Sequence, residues 1–372
     1  MNRATIALVG SALLIALGTL NLEAAWMAID PSTIVFLLSM MVVNAYLSYA
    51  GFFQLALVYL LRLTRSPLGL LVWLTLGTGV LSAFFLNDTL ALISTPLTLQ
   101  LTRALGLSPI PYLLAIAGAT NIGSLATLSG NPQNILVGSF SGIPYLVFMQ
   151  ALMPVAIAGL AVQIGLLWLL YPSVRSLKPC TPEKLSRLRL HRPLLIKTLL
   201  VTSLLLTAFV VGLPLAESAF LAAATLLVTR RIKPQRVLKE VDWSLLVLFS
   251  GLFILTKAVQ SLDGLNHLSG WVTHPVGLLS TVTILSNLIS NVPAVLLLNT
   301  LIAQNDTQNW LLLAAGSTLA GNLTLFGSVA NLITVEAANS QGHPLSFWEH
   351  LRFGLPLTIL TLMITLFWVT TQ

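Results

Sequence analysis

Apolar stretches of roughly twenty residues follow one another along almost the whole chain, the length a helix needs to span a hydrocarbon core. They occupy 4–22, 31–50, 67–86, 88–102, 110–142, 143–172, 193–212, 214–229, 243–262, 274–304, 309–340 and 351–371. Charge is correspondingly scarce: 18 basic and 11 acidic residues make up 8% of 372, against 56% apolar. A water-soluble domain carries about 25% charged residues, so most of this exterior must face lipid. A cytosolic enzyme, a secreted disulfide scaffold and a disordered chain are excluded. The single cysteine, Cys180, cannot form an internal disulfide.

The net charge of +7 does not point to nucleic acid, because the basic residues are concentrated in short loops between apolar spans. One cluster is Arg175, Lys178, Lys184, Arg187, Arg189 and Arg192; the other is Arg230, Arg231, Lys233, Arg236 and Lys239. That distribution is what the positive-inside bias produces, and base-stacking aromatics are not interleaved with it. With Arg3 and both clusters cytoplasmic, span 4–22 leaves Glu23 and Asp30 outside, and 31–50 returns to Arg62 and Arg65. If 67–102 re-enters as a hairpin, Arg103 stays on the basic side. Four crossings then lead through both basic loops, and 243–262 exits to Asp263. A second hairpin, 274–304, returns to Asp306, and 309–340 places Arg352 inside.

The expected architecture is an all-α polytopic membrane protein, an inverted repeat of transmembrane helices with two re-entrant hairpins and two broken helices. Its parts are a first transmembrane helix within 1–29, and repeat one over 30–172, with hairpin 67–102 and broken helix 110–142. A basic cytoplasmic loop (173–192) and linking helices with a second basic loop (193–241) lead to repeat two over 242–372. That repeat holds hairpin 274–304 and broken helix 309–340. The first stretch lacks a small-residue cleavage pattern and reads as a retained span in a bacterial plasma (inner) membrane.

The two halves share a motif. Ala117-Gly118-Ala119-Thr120 continues to Gly123, Thr127, Leu128, Gly130 and Asn134; Ala315-Gly316-Ser317-Thr318 continues to Gly321, Thr324, Leu325, Gly327 and Asn331, one residue shorter in the middle. Asn87 and Asn291 each sit at a hairpin tip with a serine five positions earlier, Ser82 and Ser286. Asp30 and Asp242 each open the first span of a half. Paired, Gly-interrupted spans in inverted halves point to a secondary transporter whose site lies where the breaks meet. A break frees backbone N–H groups at the start of one half-helix and carbonyls at the end of the other. The first suit an anion and the second a cation, while Asn, Ser and Thr side chains add polar ligands.

The segments around Asn87-Asp88, Thr127 to Asn134, Ser290-Asn291-Val292 and Thr324 to Asn331 resemble the ion transporter superfamily. It includes divalent-anion/sodium symporters, citrate transporters, arsenite permeases and D-type sodium/proton antiporters, and the resemblance covers roughly residues 30–371. The resemblance implies a cation site at Ser82, Asn87 and Gly130 and another at Ser286, Ser290, Asn291 and Gly327. Substrate contacts are expected from Asn87, Asp88, Thr89, Asn131, Pro132, Asn134, Asn291, Ser328 and Asn331. It also implies a homodimer working by an elevator motion, and sodium or proton coupling with no other cofactor or metal. The first tip, Leu86-Asn87-Asp88, departs from the Ser-Asn-Thr of the symporters towards the arsenite permeases. The second tip ends in Val292, and the second break lacks both prolines.

Asp88 is the sharpest single residue, since an acid within an apolar stretch marks a functional site by default. It reads as a cation ligand or proton carrier, or as an N-cap of the second hairpin arm. Lys257 reads as a countercharge for the substrate or Asp88, or as a snorkelling side chain. Glu336 is a gate or a helix end, and Glu217 a first-turn helix acid. The five histidines (His191, His267, His274, His343, His350) fall in loops or loop edges without a metal-ligand set. Trp26, Trp243, Trp271, Trp310 and Trp348 fall near span ends as interface anchors. The function expected is secondary transport of a small anion or oxyacid by alternating access. A cation/proton antiporter using Asp88 is the alternative, and a non-transporting scaffold or enzyme subunit a third class.

Overall fold

The computed structural model describes residues 3–176, 190–228, 232–260 and 270–372. Lys178, Cys180, Lys184, Arg187, Arg189, Arg230, Arg231, Asp263 and His267 lie outside the described residues. Among the described residues every regular element is helical. The chain opens with α1 (Arg3–Ala16) and α2 (Leu22–Ala28). The stretch expected as one span over 4–22 is therefore divided, because Gly18 turns the chain at φ 74° and Asn21 caps a new helix. Next come α3 (Pro31–Ala50), α4 (Phe52–Arg62), α5 (Pro67–Phe84), α6 (Asn87–Ala104), α7 (Ile110–Ser124), α8 (Pro132–Ser141) and α9 (Tyr145–Leu170). Linking helices α10 (Arg192–Val211), α11 (Leu215–Leu227) and α12 (Pro234–Lys239) precede α13 (Trp243–Gln260). The last part comprises α14 (Pro275–Ile289), α15 (Asn291–Leu298), α16 (Thr307–Ala320), α17 (Val329–Ser340) and α18 (Phe347–Thr370).

Local chemistry fixes the starts of the elements that open each half. The Asp30 carboxylate accepts from the Thr33 amide at 3.0 Å, and that of Asp242 from the Leu245 amide at 3.0 Å. Each thereby satisfies a free first-turn donor of α3 or α13. Pro31 and Pro67 stand at first-turn positions, where proline loses no helical hydrogen bond. Among the described residues six helices (α3, α5, α9, α10, α13 and α18) are long and apolar enough to cross a membrane. On them and their neighbours Leu204, Leu221, Met363 and Phe367 are largely exposed, as lipid-facing side chains must be.

The helices pack into two groups. In the first, α1 lies along α13 and α11 along α3, with α10 beside both α11 and α3. The α1–α13 contact is close: Ser11 Oγ donates to the Gly251 carbonyl at 3.0 Å, and a Cβ on Gly251 would sit 2.9 Å from the Ala7 backbone. In the second group α5 packs on α7, α14 on α16, α6 on α17 and α9 on α18. There the backbones of Gly79 and Gly123 almost touch, since a Cβ on Gly123 would lie 2.1 Å from the Gly79 oxygen.

Polar contacts identify which helix ends lie together. Tyr112 donates to the Pro67 carbonyl, Arg103 to the Gln341 carbonyl and Tyr171 to Glu349. At the opposite end Ser139 donates to Asp30, Gln308 to the Val369 carbonyl and Trp368 to the Ala151 carbonyl. Two expectations fail here. Trp310 is buried inside the second group, its indole N–H held by the Ala303 carbonyl at 3.0 Å, so it is not an interface anchor. His350 is also buried, within α18, where its Nε2 lies 3.0 Å from the Asn322 carbonyl. His350 is carried inward because α18 begins a turn before its apolar run, whereas Trp310 stands within its run on a helix buried all round from Asn309 to Ala320.

Candidate functional site

The two helical arms α5 and α6 meet at Phe85-Leu86, and α14 and α15 meet at Ser290. Neither tip is capped by a conventional side chain. Ser290 has φ 90° and ψ 159°, the only described non-glycine residue with a positive φ. An L-residue there stores strain that the surrounding structure must impose, and such strain concentrates at functional sites. Phe85 is gripped by Phe52 and Phe53, with ring centroids 5.6 and 5.3 Å away, so the start of α4 buttresses the first tip.

Each tip is tied to the break beside it. The Asn87 backbone N–H donates to the Gly130 carbonyl at 3.2 Å, and its side-chain amide donates to Asn121 Oδ1 at 3.4 Å. The Thr127 hydroxyl donates to the Ala83 carbonyl, and Ser82 to the Thr120 carbonyl at 2.6 Å. In the orientation that satisfies its surroundings, the Asn291 amide donates to the Gly327 and Ser317 carbonyls, both at 3.1 Å. Asn287 donates to the Ala320 carbonyl at 3.1 Å and accepts from Thr324 at 2.9 Å. Ser286 Oγ is buried without a hydrogen-bond partner among the described residues.

The breaks themselves, between α7 and α8 and between α16 and α17, are held by one device used twice. Asn134 Nδ2 donates to the carbonyls of Ser124 (3.0 Å) and Thr127 (2.9 Å), ten and seven residues upstream. Asn331 Nδ2 donates to those of Gly321 (2.8 Å) and Thr324 (3.1 Å), again ten and seven residues upstream. The carbonyls set free where a helix stops are thus satisfied without water, as buried backbone requires.

The two clamps are also locked to each other. Asn121 Nδ2 donates to Asn331 Oδ1 at 3.2 Å and accepts from Ser328 Oγ at 2.9 Å on its own Oδ1. Across the pair, the Thr318 hydroxyl donates to Asn134 Oδ1 at 3.3 Å and accepts from Asn131 Nδ2 at 3.2 Å. Asn121 therefore plays in one half the part Thr318 plays in the other. This corrects the sequence register, which paired Thr120 with Thr318 and needed a one-residue gap; the hydrogen bonds run without one. Asn121 additionally donates to Asn322 Oδ1 at 2.9 Å.

Both tips face one cavity of about 350 Å³ between the two helix groups. Asn87, Asp88, Pro132, Ser290, Asn291 and Ser328 line it, as do Arg3, Gln133 and Asn287, with an apolar wall from α13 that includes Leu248, Phe249 and Leu252. Of the residues expected at the site, Asn131, Asn134 and Asn331 point their amides into the clamps. Ser82, Gly130, Ser286 and Gly327 lie behind the tips and breaks, and Thr89 stands on α6 one residue past Asp88, none of them lining the cavity. Asp88 occupies the first turn of α6 but does not cap it; Leu86 holds the cap position and no side chain caps the helix, so the N-cap expectation fails. Its carboxylate makes no hydrogen bond or ion pair among the described residues.

The remaining candidates lie elsewhere. Lys257 lines a separate cavity with Gln260, Asn299 and Thr300, so it is no countercharge for Asp88 in this arrangement. Glu336 is exposed on α17, and Glu217 stands in the first turn of α11 as expected. Sequence reasoning missed Asn121, Thr318, Asn287, Gln133 and Arg3. The first two stand inside the repeated motif and were legible as polar residues in otherwise apolar helices; Arg3 was legible only as a positive-inside charge.

The family model described as citrate transporter (CitMHS) matches residues 1–315. The 46 kDa membrane protein of Mycobacterium leprae is 31% identical over 97% of this chain and 92% of its own length. The silicon efflux transporter LSI3 of Oryza sativa subsp. japonica is 30% identical, over 96% of this chain and 90% of its own. Among solved structures, the YdaH transporter of Alcanivorax borkumensis superposes with a TM-score of 0.61 at 16% identity, covering 99% of this chain and 95% of that one.

Proposed function

The chain belongs to the citrate transporter (CitMHS) family and is a multi-pass membrane transporter, and from that premise we propose that it carries a small anion or oxyacid by alternating access. The observation that carries this reading is the meeting of both tips, Asp88 and Ser328 around one cavity. In that cavity the second N–H of the Asn87 amide and the half-helix starts at Asn291 and Val329 offer donors to an oxygen-rich solute. Silicon efflux by the rice relative is compatible with an oxyacid cargo. The lone carboxylate of Asp88 disfavours a free dianion, and supports a neutral oxyacid or a monoanion moving with a sodium ion or proton.

The arrangement also supports the inverted repeat. The order of a capped first helix, a two-armed element, a broken helix and a long closing helix recurs in α3–α9 and α13–α18, and the cross-lock exchanges equivalent partners. The cavity reaches Arg3 and Leu245, near the first turn of α13, whereas Lys257 lies at that helix's other end. On the positive-inside reading the cavity opens inward, with the second helix group, which carries both tips and both breaks, moving against the first, the N-terminus and basic loops cytoplasmic, and two copies forming the working dimer. Proteoliposome flux of a panel of oxyanions, oxyacids and carboxylates, with and without sodium or a pH gradient, tests the proposal. Wild type should move at least one solute down an imposed gradient, and the double variant Asn87→Ala, Asn291→Ala should not. Undiminished flux in that variant overturns the site.

A further inference from the structure

We propose that Arg3 is the anion-recognising group of the cavity between the tips, a role that rests on the transport of an anion argued above. Among the described residues, Arg3 and Asp88 are the only charged side chains that line this cavity. Arg3 forms no ion pair among the described residues, so its guanidinium is available to an incoming solute. Its position is not that of a loose terminal residue. Helix α1 is fixed along α13 by the buried Ser11, which donates to the carbonyls of both Ala7 (2.8 Å) and Gly251 (3.0 Å). Gly251 lets the two backbones approach, Gly10 leaves room for the Leu255 side chain, and Ile6 and Ala7 continue the cavity wall above Arg3.

The chemistry divides cleanly between the two charges. A planar guanidinium presents paired N–H donors that match two oxygens of a carboxylate or oxyanion, and it keeps its charge at every physiological pH. Asp88 repels the same anion and suits the co-transported cation. The two charges lie on different helix groups, Arg3 on α1 and Asp88 on α6. A solute held by Arg3 from one side and by the tips from the other therefore bridges the surfaces that must slide past each other. A neutral oxyacid needs the tips but not the arginine.

The test has two arms, both on the full chain. In the first, Ile6→Cys is introduced with the native cysteine replaced (Cys180→Ser), and its labelling by an anionic and a cationic methanethiosulfonate is compared. Replacing Arg3 with glutamine should lower the anionic-to-cationic rate ratio at least about threefold, and Arg3→Lys should preserve it. An unchanged ratio in Arg3→Gln, or an equal fall in Arg3→Lys, overturns the inference. This arm needs no substrate, so it decides on Arg3 even if wild type moves nothing on the panel, which would sink the transport reading alone. In the second arm, for an anion that wild type carries, Arg3→Gln should raise KM about tenfold with Vmax held within about twofold. Boric acid flux, where wild type shows it, should be insensitive to the change. Equal losses for the anion and for boric acid would assign Arg3 to packing and overturn the proposal.

Discussion

Replacing Asn134 with alanine should cost the protein about 3–5 kcal/mol, because two buried carbonyls lose a donor and a buried hydroxyl loses an acceptor at once. The carbonyls of Ser124 and Thr127 lose donors at 3.0 and 2.9 Å, and the Thr318 hydroxyl loses an acceptor at 3.3 Å. Asn134 is 0% exposed, so water cannot replace what is removed. Each loss is worth about 1–3 kcal/mol, and the bonds that Asn131 still gives to the Ser124 carbonyl and Thr318, with some relaxation of the break, bring the sum to the lower part of its range. Asn331→Ala should cost the same amount within about 1 kcal/mol, since its amide serves two carbonyls at the same offsets and accepts from Asn121. Asn134→Asp is the sharper control: it keeps the volume but has no N–H to give, and should be at least as damaging as alanine. The measurement is reversible unfolding in mixed micelles, followed by tryptophan fluorescence. A loss below about 1 kcal/mol for both alanine variants, or a stable Asn134→Asp, would refute the clamp.

Gly123→Ala should destabilise by about 2 kcal/mol or more, because its Cβ meets the Gly79 backbone rather than a side chain that can rotate away; the same unfolding assay checks it. Ser290→Gly should stabilise by about 1 kcal/mol through relief of the positive φ, with a higher melting temperature. Asp88→Asn should abolish proton-driven flux if that carboxylate carries the proton, and should leave sodium-driven flux of a neutral oxyacid intact; pH-gradient-driven uptake distinguishes these. Lys257→Gln should leave KM within about twofold of wild type, since that side chain faces a different cavity.

Much of the architecture was legible in the residues because a bilayer leaves few options. Once charge falls to 8%, backbone polar groups in lipid must be satisfied internally, and helices follow. Helix starts were marked locally: Asp30 and Asp242 cap the helices they precede, and the tip asparagines stand where the arms meet. The Gly-x-x-x-Asn repeat located both breaks because glycine and asparagine there have no apolar reason to exist. What periodicity could not supply was partnership. Asn134 and Asn331 looked like substrate ligands from their position in a break, yet their amides are committed to backbone carbonyls seven and ten residues back. Nor could spacing tell that Asn121 answers Thr318, that Lys257 lies far from Asp88, or that the first apolar stretch divides at Gly18 and sets Arg3 beside the tips. Helix formation and membrane insertion depend on local, largely one-dimensional quantities that a sequence displays directly. Which polar atom meets which is decided by how helices from distant segments pack, and that is a three-dimensional property of the folded chain.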